Sequence, residues 1–95
     1  MIVMVSSYPL PVRPSVAAPD RSAVWAWLAP LLEDGTVEFF YPKPGRGAVA
    51  LFRVDSAETL QGHLTEWGER VPCTFEVTLL VDPDHQKRMV GHPAD

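Results

Sequence analysis

The sequence predicts a single α+β domain: a four-stranded antiparallel sheet with two helices on one face. Three observations predict it. Four short segments rich in β-branched and aromatic residues read as strands, and two segments with apolar residues at helical spacing read as helices. Their order along the chain is β-α-β-β-α-β. The prolines gather between these segments, at Pro9, Pro11, Pro14 and Pro19 and again at Pro42 and Pro44, where a fixed φ and a missing N–H mark connections. Ninety-five residues support one core and are too few for two.

Each element has its own warrant. Ile2 to Tyr8 is short, β-branched and apolar, a strand. From Asp20 to Glu33, Val24, Leu28, Leu31 and Leu32 recur at helical spacing, with Asp20 placed to cap the start and Gly35 to stop the chain. Pro30 falls inside this helix and predicts a kink or an early end. Thr36 to Tyr41 and Ala48 to Val54 are the two strands of a hairpin, joined by the turn-forming run Pro42-Lys43-Pro44-Gly45-Arg46-Gly47. Asp55-Ser56-Ala57-Glu58 reads as a capping box with Asp55 as N-cap. Ala57, Leu60, Leu64 and Trp67 then form one stripe of an amphipathic helix, with Gly68 placed to end it. Cys73 to Val81 is the last strand. Residues 1–81 form the domain, and 82–95 read as a polar, aperiodic C-terminal tail. With right-handed crossovers, this order is the ferredoxin-like split βαβ fold.

Side-chain parity sorts the strands by face. It sends Phe75, Val77, Leu79, Ala50, Phe52, Val54, Val37, Phe39 and Tyr41 toward the helices. It leaves Glu76, Thr78, Leu80, Val49, Leu51, Arg53, Glu38 and Phe40 on the other face. All three charged strand residues, Glu38, Arg53 and Glu76, share that second face with Phe40, Val49, Leu51 and Leu80. A mixed apolar and ionisable surface fits an interface that encloses a small cavity, as in a homodimer of two sheets packed face to face. The plainer alternative is an Arg53–Glu38 pair across a wet hairpin.

The run Phe52-x-Val54-x-Ser56-x-Glu58-x-Leu60-x-x-x-Leu64, followed by Trp67, Pro72 and Glu76-Val77, resembles the second half of muconolactone isomerase and its small relatives. The resemblance covers about 26 residues, Phe52 to Val77. It implies a dimeric α/β barrel, often in larger rings, that works without metal or organic cofactor and moves a proton within a lactone. The Pro9 to Pro19 stretch and the proline-broken first helix depart from that pattern, so the substrate is not carried over.

Composition excludes several classes of function. Twelve acids against eight bases give a net charge of −4, which argues against a phosphate-binding nucleic-acid surface. One cysteine, Cys73, excludes a disulfide framework and a cysteine-rich zinc module, and reads as an inert core thiol. The apolar start Met1 to Val5 lacks a basic flank and is too short to span a bilayer, so no membrane partner and a cytoplasmic location are expected. Pro44-Gly45-Arg46-Gly47 opens no helix and makes no phosphate loop, and Ser6 and Ser7 have no triad partners at readable spacing.

Proton transfer without a cofactor needs a tunable acid/base and a charge to steady an enolate. Glu76, Arg53 and Glu38 are the candidate catalytic residues, with Arg53 alternatively holding a substrate carboxylate. Tyr8, Tyr41, Phe40, Leu51 and Trp25 are the candidate substrate contacts. Trp25 and Trp27 cannot both face the core, so one covers an interface or a pocket mouth. His63 reads as a half-exposed helix histidine, and His85 and His92 with Asp82 and Asp84 as solvated tail residues rather than a metal site. Two functions remain open. One is a small cofactor-independent isomerase or cyclase acting on a lactone, polyketide or similar molecule, with a cofactor-free monooxygenase as its variant. The other is a non-catalytic module that binds a small ligand or a protein.

Overall fold

A computed structural model describes residues 1–11 and 14–90. The elements run β1 (Ile2–Pro9), α1 (Pro14–Glu33), β2 (Val37–Pro42), β3 (Ala48–Arg53), α2 (Ala57–Arg70), β4 (Cys73–Leu80) and α3 (Pro83–Met89). The four strands form one sheet in the order β2-β3-β1-β4, every neighbouring pair antiparallel. The fold class is therefore α+β, with three helices against the two expected.

The core lies between one face of the sheet and α1 and α2. Val3 and Val5 of β1, Val37 of β2, and Ala48, Ala50 and Phe52 of β3 meet Val24, Trp27 and Leu28 of α1 and Leu60, Leu64 and Trp67 of α2. Trp67, at 2% exposure, touches the rings of Trp27, Phe40, Phe52 and Phe75 at centroid distances of 5.0 to 6.3 Å. Burying side chains of this size is worth about 1.5–3 kcal/mol each, so this cluster carries the fold. The expected division of the tryptophans holds: Trp27 and Trp67 are core, and Trp25 is about half exposed.

Several local expectations are corrected. Helix α1 begins at Pro14, six residues before Asp20, so Asp20 is no cap. Pro14 suits the first helical position, where an N–H has no partner in any case. Pro30 does not end the helix, which continues to Glu33, and Asp34 N–H still donates to the Pro30 carbonyl at 3.0 Å. Pro30 is exposed, so water can satisfy the carbonyl that its ring leaves without a donor. At α2 the cap is Ser56, whose Oγ accepts from the Thr59 N–H at 3.1 Å. Asp55 instead accepts from the Thr59 hydroxyl at 2.7 Å, which holds its carboxyl below the usual range. Gly68 stays inside α2, which runs on to Arg70.

The largest correction is in β2. Val37 pairs with Phe52, and Phe39 rather than Glu38 pairs with Leu51. This bulge sets two residues of β2 against one of β3 and inverts the side-chain parity that follows it. Phe40 consequently faces the helices, while Phe39 and Tyr41 stack on the open face with centroids 5.3 Å apart. The parity assigned to β3 and β4 stands: Val49, Leu51 and Arg53 lie opposite Phe52, and Phe75 packs on the core. The segment after β4 is not aperiodic. Asp82 caps α3 through the Asp84 N–H at 2.8 Å, and residues 81–89 are exposed throughout. His92 lies outside the described residues. Among the described residues, no helix is long and apolar enough to cross a membrane.

Candidate functional site

A pocket of about 340 Å³ opens on the helix-covered side of the sheet, at the β2–β3 hairpin end. The bulge makes one of its walls, because it turns Phe40 inward. Phe40 meets Trp25 edge-on at 5.3 Å and Trp67 at 5.3 Å, so three aromatic rings bound the space. Val24 and Val71 complete the apolar wall. The volume sits at the small end of the range for ligand pockets, about 300–1,000 Å³.

The hairpin loop forms the rim. Lys43 N–H donates to the Gly47 carbonyl at 2.9 Å and closes the five-residue turn. Gly45 and Gly47 have φ of 87° and 96°, a region that residues with a Cβ rarely occupy. A Cβ on Gly47 would run into the Ser7 carbonyl and lie 2.9 Å from Lys43 Cε, so glycine there makes room for the lysine stem. Lys43 Nζ donates to Ser6 Oγ at 2.9 Å and sits 3.8 Å from the centre of the Tyr8 ring. Arg46 Nη1 donates to the Leu10 carbonyl at 2.9 Å. Ser7 beneath them is buried, and its hydroxyl accepts from the Ala48 N–H at 2.9 Å. Among the described residues the lining contains Lys43 and Arg46 and no carboxylate, in a chain whose net charge is −4.

The sequence-selected residues divide between the two faces. Phe40 and Trp25 line this pocket together. Arg53 and Glu38 form an ion pair at 3.1 Å on the open face, about half exposed on each side. Glu76 on β4 pairs with Ser6, whereas Arg53 on β3 pairs with Ile2, so the two stand two strand spacings and four residues apart. At about 4.8 Å per strand and 3.3 Å per residue, Glu76 and Arg53 stand roughly 16 Å apart within one chain. The fold therefore joins two of the three candidate catalytic groups and separates the third. Tyr8 and Tyr41 are exposed on the open side, and neither lines the pocket. Leu51 also faces that side, beside Met4 and Phe39, and is already 8% exposed. Of the four apolar residues expected on the open face, Phe40 is on the opposite one and Leu51 is covered within the chain.

Lys43, Arg46, Ser7, Trp67 and Val71 are site residues that sequence reasoning passed over as loop or core. The signal was a glycine-flanked loop with two bases between aromatic strands. Burial pushes the Cys73 thiol up to about 11, in keeping with an unreactive side chain. His63 lies over Phe52 with Nδ1 buried and without a hydrogen-bond partner among the described residues. Those residues contain no group of three or more His, Cys, Asp or Glu able to hold a metal ion. No family model matches the chain, and no curated protein matches it.

Proposed function

We propose that the chain is a small-molecule-binding domain of ferredoxin-like architecture that takes a one- or two-ring apolar ligand between Trp25, Phe40 and Trp67. The observation that carries this reading is the pocket itself: about 340 Å³, walled by three aromatic rings and edged by polar groups from a single loop. Apolar walls with few convergent polar groups are the usual composition of ligand sites. The strand order β2-β3-β1-β4 supports the ferredoxin-like assignment, with α3 as an addition. Association as a homodimer belongs to the same reading. Val77 and Leu79 on edge strand β4 are 47% and 68% exposed, an apolar flank that a second copy would cover.

Titrating a panel of one- and two-ring aromatics, charged and neutral, against the tryptophan fluorescence tests the proposal. Saturable binding that weakens about tenfold or more in Phe40→Ala is the expected result. Absence of saturable binding by every member of the panel overturns it.

A second reading is a cofactor-independent, muconolactone isomerase-like isomerase or cyclase, with Glu76, Arg53 and Glu38 as its acid/base and charge partners. The Arg53–Glu38 pair beside the apolar Met4 and Leu51 favours it, because a second copy packed on that face would desolvate both charges. Solvent deuterium entering an unsaturated lactone during incubation with the protein would select this reading. A lactone that stays unlabelled would reject it.

A further inference from the structure

We infer that β4 joins a second copy of this chain edge to edge, antiparallel about a two-fold axis with Val77 opposite the partner's Val77. Two four-stranded sheets then become one continuous sheet. The inference rests on the homodimer association proposed above and adds the strand and the register through which it forms. It does not depend on the pocket.

The two edges of the sheet are built differently. On one side, β2 is six residues long, is interrupted by the bulge between Val37 and Phe39, and ends in Pro42 with Lys43 after it. Short length, a bulge, proline and lysine are the devices that keep an exposed strand from recruiting another chain. On the other side, β4 has none of them. It is eight residues long, all eight pair with β1 without a break, and its one charge is Glu76. Among the described residues no strand pairs with its outer edge, and Glu76, Val77, Thr78 and Leu79 are all exposed. A long, flat strand left in this state is a template for another strand.

The side chains of β4 choose the occupant and the register. Phe75, Val77 and Leu79 pair with Ser7, Val5 and Val3 and so share the helix-covered side, yet only Phe75 packs on the core. Val77 and Leu79 are left 47% and 68% exposed. Two β4 strands related by a two-fold axis normal to the sheet keep the same face up, so residues of like parity meet. With Val77 at the axis, Leu79 lies beside the partner's Phe75, and the apolar row of each core continues across the joint. On the reverse face Glu76 meets the partner's Thr78, whose hydroxyl can donate to the carboxylate. An axis at Glu76 would set two carboxylates opposite each other, and an axis at Thr78 would set Glu76 against Leu80, which has no side-chain donor. Because β2 is blunted, each chain offers one such edge, and the assembly closes at two copies.

Sedimentation equilibrium of the full chain at micromolar concentration, with thermal melting of every variant, tests the inference. The natural sequence should have the mass of two chains. Val77→Lys puts a charge on the joint at a position already half exposed, so it should fold and weaken dimerisation by about a hundredfold or more. Cysteines read the register. In a Cys73→Ser background, Val77→Cys should give a disulfide-linked dimer on mild oxidation. Glu76→Cys should not, because its two copies would stand roughly 8 Å apart at Cα, beyond disulfide reach. If Val77→Lys does not fold, the two cysteine variants still decide the matter. A monomeric natural sequence overturns both the edge pairing and the homodimer association and leaves the pocket reading intact. A dimer that survives Val77→Lys overturns the edge pairing and leaves association through another surface. Cross-linking through Glu76→Cys and not through Val77→Cys overturns the register.

Discussion

The two faces of the sheet treat charge differently. On the open face, Arg53 and Glu38 meet at 3.1 Å with about half of each side chain in water. Solvent screens such a pair, and its worth is about 0–1 kcal/mol. Lys43 turns its ammonium to the same face, to the Ser6 hydroxyl and the Tyr8 ring. On the helix-covered face, the pocket wall of Val24, Trp25, Phe40, Trp67 and Val71 is apolar. Charge gathers where water can solvate it, and the covered face is left to ring and aliphatic contact.

Adjacent residues on β3 offer the sharpest way to break this comparison. Phe52 points into the core and is fully buried, while Leu51 points the other way at 8% exposure. Phe52→Ala should cost about 3–5 kcal/mol by urea denaturation, and Leu51→Ala about 2 kcal/mol, because Leu51 is covered by side chains on an open surface that can collapse around it. Equal costs would mean that the open face is as tightly packed as the helix side. A smaller effect separates the helix that dries one face from the residues beside its start. Ser56→Ala should cost about 0.5–2 kcal/mol through the lost acceptor for the Thr59 N–H, and more than Asp55→Ala. The reverse ranking of urea midpoints would return the cap to Asp55. The smallest effect belongs to the ion pair. Glu38→Gln should lower stability by less than about 1 kcal/mol, and the difference should shrink in high salt. A large, salt-insensitive loss would mean that the open face is dry, as a face-to-face dimer would make it.

The elements and most of their faces were legible in the sequence, because hydrophobic period and proline punctuation record burial directly. The strand segments, the hairpin loop and the inward side of β3 and β4 all follow from parity. Two of the misreadings, in β2 and at the start of α2, turned on a single residue of register that composition does not encode. Val37-Glu38-Phe39-Phe40-Tyr41 alternates acceptably in either phase, so nothing in it announces a bulge. Asp55 and Ser56 are both good caps, and tertiary placement of the first turn chose the second. Pro30 would break a buried helix, but it lies on a wet side where the Ala26 carbonyl that it leaves without a donor costs little. The candidate site was half legible. Trp25 was placed at a pocket mouth by helical spacing, Phe40 was selected for the opposite face and reaches this pocket only through the bulge, and Lys43 and Arg46 were read as turn residues.

The bulge in β2 also bears on how this chain can change over generations. Glu38 is the surplus residue of the strand, since Val37 and Phe39 already pair with consecutive residues of β3. An in-frame loss of one codon there would remove the partner of Arg53 and leave Phe39 to Pro42 in their present pairings. A lineage could in this way discard or regain the charge on one surface while the aromatic wall on the other stayed in register. Insertion and deletion, usually the harshest events a strand can suffer, become at this position a means of altering one surface independently of its reverse.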